Sequence, residues 1–189
     1  MNILIINSSP RVQGNSKKLS KEFIEIAEYR GHNCINLSVA FDNIRPCSHC
    51  GYCAEKDKCC LSDIMTKSYS EIVRNADCII FASPVYFFGI NAQAKNFLDR
   101  LYAIDLEDKL IGAILVSGSA FFEGGVDLTA KTFIKTCDFV GADFVGLVHK
   151  RTNDKLLNLT SQDRANLNKL LDNIEGNFDS VNSSVFIEG

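Results

Sequence analysis

Residues Asn2 to Ser16 read NILIINSSPRVQGNS. Ile3, Leu4, Ile5 and Ile6 are continuously apolar, which suits a strand buried on both faces of a parallel sheet. The strand runs into Asn7, Ser8, Ser9, Pro10, Arg11, Val12, Gln13, Gly14, Asn15 and Ser16, and a helical pattern starts directly afterwards. Hydroxyls, one guanidinium, the permissive Gly14 and the free amides of a helix N-terminus therefore meet at the end of a buried strand, as in a phosphate site. Neither the GxGxxG of a dinucleotide fold nor the GxxxxGK[ST] of a triphosphate loop is present. The loop fits one terminal phosphomonoester, with Asn15 or Ser16 as helix cap. An ordinary strand-to-helix turn with a capping Asn and Ser accounts equally well for these residues alone.

Beyond this loop, Leu19, Phe23, Ile26, Ala27 and Arg30 keep the helical period, and Gly31 marks a stop. Asn33 to Leu37 alternates as an edge strand does. A helix is predicted near Asp63 to Asn75, capped by Ser62 or Asp63, and Cys78 to Ala82 is a second continuously apolar strand. A helix from about Asn91 to Tyr102, a strand at Leu110 to Val116, a helix opened by Gly124 and Gly125, a strand at Phe144 to Val148 and a helix capped by Ser161 follow. This alternation predicts an α/β fold with a five-stranded parallel sheet, and the edge character of Asn33 to Leu37 selects the order 2-1-3-4-5. Every strand-to-helix loop then lies at the carboxyl edge, where ligands bind.

At 189 residues the chain is expected to form one domain, 1–189, with a cysteine-rich insertion at 44–62 and a tail at 176–189. In that tail Val185, Phe186 and Ile187 would strap onto a surface or a neighbouring subunit. A net charge of −3 without a Lys/Arg run argues against a nucleic-acid partner, which needs a concentrated basic face. No basic segment precedes the first apolar run and no stretch is long enough to span a bilayer, so a cytoplasmic protein with no membrane partner is expected. Of eight cysteines, Cys34, Cys78 and Cys137 lie in apolar patterns as small hydrophobes, whereas Cys47, Cys50, Cys53, Cys59 and Cys60 cluster. In a cytoplasmic chain such a cluster reads as metal or redox chemistry before disulfides.

Ser83 to Gly89 offers Pro84, Val85, Tyr86, Phe87 and Phe88, an apolar and aromatic wall with proline-fixed amides. A strand end packing on a helix explains it alone; beside a phosphate loop a flat heteroaromatic ring explains both, and the pair points to FMN. Zinc usually takes two CxxC pairs separated by a longer insert. Three cysteines at successive steps of three, with a fourth close by, resemble cuboidal 4Fe-4S ligation instead. His49 reads as a spacer inside that loop. Lys95, Asp99 and Arg100 fit a solvated helix face, and His149 follows the last strand with no obvious partner; none receives a catalytic role.

SSPRVQGNS, PCSHCGYC followed by CC, and SPVYFFG followed by AKNFLDR together resemble the flavodoxin-like NAD(P)H-dependent FMN reductases and, within them, the iron-sulfur flavoproteins, over roughly Asn2 to Val148. The resemblance implies a flavodoxin-like three-layer sandwich. It implies FMN phosphate contacts at Ser9, Arg11, Asn15 and Ser16, ring contacts at Pro84, Val85, Tyr86 and Phe87, and further pocket residues at Ser117, Gly118 and Gly124. Ser119, Ala120, Phe121 and Phe122 are bulkier than expected of the family's third loop. It also implies 4Fe-4S ligands at Cys47, Cys50, Cys53 and Cys59, with Cys60 as the alternative fourth, although cluster-free relatives carry cysteine-rich loops at the same place. The implied activity is an FMN-dependent oxidoreduction with no catalytic side chain. Electrons from NAD(P)H or a ferredoxin-like protein would reach a quinone, nitroaromatic or flavin, in a homodimer or homotetramer. A cluster-free NAD(P)H-dependent FMN/quinone reductase and a non-catalytic FMN-binding redox carrier are the other readings.

Overall fold

The computed structural model describes residues 1–152, 156–176 and 186–188. Strands β1 (Asn2–Asn7), β2 (Asn33–Ser38), β3 (Cys78–Tyr86), β4 (Gly89–Ile90), β5 (Leu110–Ser117), β6 (Asp143–Arg151) and β7 (Phe186–Glu188) form one sheet. The helices are α1 (Asn15–Tyr29), α2 (Tyr52–Lys56), α3 (Ser70–Arg74), α4 (Ala92–Arg100), α5 (Val126–Val140) and α6 (Ser161–Ile174). The strand order is β2-β1-β3-β5-β6-β7, parallel throughout, and β4 folds back antiparallel on the end of β3. Without the two-residue β4, the first five strands take the expected flavodoxin-like order, with β2 at the edge. The tail contributes β7, whose backbone pairs with β6 so that Phe186 stands opposite Leu147. Val185 lies outside the described residues.

Alternate strand residues point to opposite faces. Ile3, Ile5, Cys78 and Ile80 pack with Leu19 and Phe23 of α1 and Leu167 and Leu170 of α6. Leu4, Ile6, Ile79 and Phe81 pack with Phe97 and Leu98 of α4 and Phe133 and Cys137 of α5. With both faces covered, β1 and β3 must be apolar at every position of their centres. Truncating the fully buried Phe23 to Ala would cost about 3–5 kcal/mol.

Three local expectations are corrected. Gly14, rather than Asn15 or Ser16, is the N-cap of α1, because the Asn15 side chain is engaged elsewhere. Thr160, rather than Ser161, caps α6: its hydroxyl accepts from the Asp163 amide at 3.2 Å while the Asp163 carboxylate accepts from the Thr160 amide at 2.8 Å. The helix predicted from Asp63 begins as a π-turn at Met65–Tyr69 and continues as α3. Helices of a parallel α/β sheet run against its strands, so the N-termini of α1, α4 and α5 lie at the carboxyl edge and their C-termini at the other.

Candidate functional site

At the carboxyl edge a depression of about 90 Å³ is lined by four segments: Ser9, Arg11, Gly14, Asn15 and Ser16 after β1, Pro84, Val85 and Tyr86 at the end of β3, Val116, Ser117 and Gly118 at the end of β5, and Thr152 after β6. Gly14 has no side chain to cap α1, and the amides of Asn15, Ser16 and Lys17 precede the first intrahelical bond, from the Lys18 amide to Gly14 O at 3.1 Å. A Cβ on Gly14 would stand 2.5 Å from Ser9 Oγ, so glycine lets the loop close around the hydroxyls. Asn15 offers the depression its backbone, because its side-chain amide donates to Thr152 Oγ1 at 3.0 Å and accepts from the Leu157 amide at 2.9 Å.

Buried Asn91, the N-cap of α4, wires the loops together. It donates to Ser8 O at 2.7 Å and accepts from the Ala94 amide at 3.2 Å. Beyond β3, Tyr86 pairs with Gly89 across a two-residue turn in which Phe87 and Phe88 have φ of 51° and 69°. Bulky residues in this left-handed geometry store on the order of 1–3 kcal/mol each, and such strain persists only where the surroundings impose it. Gly125 makes room for the turn: a Cβ there would meet Phe88 Cβ at 2.6 Å and Phe88 Cα at 2.7 Å. Phe87 is 98% exposed above this turn.

Ser117 Oγ donates to Ser119 O at 2.7 Å and lies 2.8 Å from Nε2 of buried His149. With its single proton spent on Ser119, the hydroxyl accepts from the imidazole, which fixes Nε2 as the protonated nitrogen. The Phe121 ring meets the imidazole edge to face at 5.8 Å.

The cysteine loop leaves β2 at the carboxyl edge but does not remain there. Cys47, Cys50, Cys53, Cys59 and Cys60 all line one cavity of about 700 Å³, whose other walls are the C-terminal halves of α4 and α5, with Leu98, Thr136 and Phe139 among them, and the turn after α4, with Tyr102. That corrects the expectation of a shared edge: the cavity lies at the C-terminal ends of α4 and α5, whose N-termini are at the carboxyl edge. His49 and Asp57, with Gly51, have positive φ, which winds the chain back between successive cysteines. Cys50 Sγ and Cys60 Sγ are 3.3 Å apart. The Tyr52 amide, then the Cys60 thiol, hold Cys50 below its usual pKa, and the same contact raises Cys60. Among the described residues no three His, Cys, Asp or Glu side chains are gathered as metal ligands.

A family model described as NADPH-dependent FMN reductase matches residues 1–140. The chain belongs to that family. It is 34% identical over 137 residues to an iron-sulfur flavoprotein of Methanosarcina thermophila, covering 70% of each chain. Among solved structures, an NADH:FMN oxidoreductase in its apo form superposes with a TM-score of 0.70 at 19% identity, over 98% of this chain and 94% of that one. A Streptococcus pneumonia flavodoxin superposes with a TM-score of 0.63 at 14% identity, over 94% of this chain and all of that one. The last two likenesses speak for the fold alone, and membership makes the chain an FMN-dependent oxidoreductase.

In this reductase the depression gathers all but two of the residues expected to hold a flavin: Phe87 sits on the exposed turn, and Gly124 lies behind Ser117, where a Cβ would meet Ala120 O at 2.9 Å. Hydroxyls, a guanidinium and a helix N-terminus fit a phosphate, and the small volume fits one such group. Sequence reasoning missed Thr152, His149 and Arg100. Arg100 is no solvated residue: its guanidinium is buried and holds both Asp63 oxygens, at 2.7 and 3.1 Å. Burial pushes the Asp63 carboxyl up, but Arg100 and the Arg45 and Thr66 amides outweigh it and hold it below the ordinary value. Lys95 and Asp99 do form the expected surface pair, at 2.5 Å. Burial raises Cys34 to about 11 and Cys137 to about 12 and lifts Cys78 as well, so these remain inert thiols. Among the described residues no helix is long and apolar enough to cross a membrane.

Proposed function

We propose that this protein is an FMN oxidoreductase of the iron-sulfur flavoprotein type, passing electrons from NAD(P)H or a ferredoxin-like donor to a small acceptor such as a quinone, a nitroaromatic or a flavin. The observation that carries the FMN assignment is the depression itself, where Ser9, Arg11, Ser16 and the first amides of α1 would hold a phosphate, and Pro84, Val85 and Tyr86 would hold the ring. FMN, when bound, supplies the hydride and single-electron chemistry. The chain's own groups would bind and orient it: Asn91 fixes the first loop against the α4 cap, Gly125 leaves room for the aromatic turn, and His149 holds Ser117. No side chain is needed to move a proton in the transfer.

The 4Fe-4S part of the reading is supported by the spacing of Cys47, Cys50, Cys53 and Cys59, by five thiols lining one cavity, and by the Methanosarcina thermophila relative's description. Cluster formation would have to draw the cysteines closer than they stand, and the Cys50–Cys60 contact makes Cys60 a competitor of Cys59 as fourth ligand. That same contact favours a second reading, a cluster-free NAD(P)H-dependent reductase. A homo-oligomer fits the stacked and largely exposed Tyr102 and Phe139, whose centroids are 6.1 Å apart at the mouth of the cavity. Protein purified without oxygen should be brown, with about four iron and four sulfide per chain, should bind FMN in preference to FAD, and should oxidise NAD(P)H with added quinone. Yellow, iron-free and fully active protein establishes the second reading, and FMN bound without turnover establishes a carrier.

A further inference from the structure

Arg100 ends α4, and only 1% of its side chain is exposed. Its guanidinium donates to Arg45 O at 3.0 Å, to both Asp63 oxygens, and to Thr66 Oγ1 at 2.8 Å. Asp63 in turn accepts from the Arg45 amide at 3.1 Å and the Thr66 amide at 3.3 Å. Arg45 and Asp63 flank the five clustered cysteines, so one buried pair ties the start of the loop to its end and both to a core helix. Inside the loop α2 buries no residue and the described backbone–backbone bonds are local, such as Ala54 N to Gly51 O at 3.1 Å and Asp57 N to Cys53 O at 3.0 Å; from outside, the Arg74 guanidinium donates one long bond to Asp57 O, at 3.4 Å on the exposed surface.

A buried ion pair alone is a poor sign of stability, since apolar residues of the same volume stabilise as well or better. Apolar residues cannot, however, hold a carbonyl, a carboxylate and a hydroxyl from two ends of a loop at fixed positions, which the planar Arg fork does. Cys59 stands beside this fork. It lines the 700 Å³ cavity on one side and, with Arg100, a second cavity of about 430 Å³ on the other. Arg100 Nε is buried without a hydrogen-bond partner.

We propose that Arg100 and Asp63 form a latch that closes the cysteine loop before any metal arrives and sets Cys59 on the wall between the two cavities. Both are positioning residues. The inference deepens the cluster reading, but the latch holds with or without iron. Arg100→Lys keeps the charge and loses the fork, and Thr66→Val removes one neutral bond from the guanidinium and serves if Arg100→Lys does not fold. Iron-free, FMN-loaded protein is alkylated under native conditions, labelling is mapped by mass spectrometry, and limited trypsin cleavage is followed at Lys56 and Lys58.

In Arg100→Lys, labelling of the half-buried Cys53 and Cys59 and cleavage at the two lysines should accelerate about tenfold or more, the signature of local opening, whereas Cys47, Cys50 and Cys60 are exposed already and serve as the unchanged reference. Cys78 and Cys137 should stay protected, and FMN affinity should hold within about twofold. In iron-loaded protein, transfer of iron to a chelator should quicken in parallel. Loop rates unchanged in a folded variant overturn the latch; so does loosening in step with FMN loss and exposure of Cys78 and Cys137, the pattern of a merely structural pair. Wild-type protein devoid of iron sinks the cluster reading and leaves the labelling result, for or against the latch, standing.

Discussion

Gly14→Ala probes the depression through one atom. Gly14 has φ −73° and ψ 152°, a conformation alanine adopts freely, so the perturbation acts through space rather than backbone strain. The new Cβ would lie 2.5 Å from Ser9 Oγ, 3.1 Å from Arg11 O and 3.3 Å from Arg11 Cβ. Ser9 can relieve the closest contact by rotating its hydroxyl out of the depression, while Arg11 yields by a few tenths of an ångström. Losing one hydrogen bond to a charged phosphate costs roughly 1.5–3 kcal/mol, which is about 10- to 150-fold in the Kd for FMN. The apoprotein should melt almost where the wild type does, because replacing glycine where the backbone permits removes unfolded-state entropy worth roughly 0.4–1 kcal/mol, offsetting the crowding. Quenching of FMN fluorescence gives the Kd, and a melting curve of the same apoprotein gives the control. A Kd within about twofold of wild type, with normal melting, would refute Ser9 as a phosphate donor.

Gly125→Ala should cost on the order of 2–4 kcal/mol in a urea titration, from a left-handed φ of 73° and contacts of 2.6 and 2.7 Å with Phe88; a cost below about 1 kcal/mol would mean that the aromatic turn is not held there. His149→Leu should weaken FMN by on the order of 1–3 kcal/mol by freeing Ser117, and His149→Gln should restore part of it; equal affinities for the two variants would remove the hydrogen bond from the explanation. Single Cys47→Ala, Cys50→Ala or Cys53→Ala should abolish iron binding and leave FMN in place, and comparing Cys59→Ala with Cys60→Ala by iron content identifies the fourth ligand. Asp63 and Asp163 are both held below the ordinary carboxyl value of 3.8: burial raises each, and Arg100 for the first, Lys150 and Thr160 for the second, outweigh it. Folded-state values below the unfolded one mean stability fully present above 3.8 and lost as pH falls through the lowered values. Asp63→Asn should therefore flatten the acid limb of stability against pH, and an unchanged limb would contradict the pair.

The sheet was legible because its central strands are apolar at every position while β2 alternates, and those patterns alone order the strands. The depression was legible because its polar residues follow β1 without interruption. Thr152 was not, since it reaches Asn15 from 137 residues away and nothing local announces the meeting. Arg100 was misread by residue type: it stands three residues after Phe97, on the inward stripe with Leu101, whereas Asp99 lies about 100° round the helix. Weighing periodicity above charge would have placed it inside. The cysteine loop was misplaced for a related reason. Topology fixes where it leaves β2 but not how far the 19 residues 44–62 travel, and their two ends are bonded at the Arg100 end of α4 rather than at the Asn91 end, roughly 13 Å away at 1.5 Å per residue. The bonds that would shut the loop therefore also anchor its two ends at that end of α4.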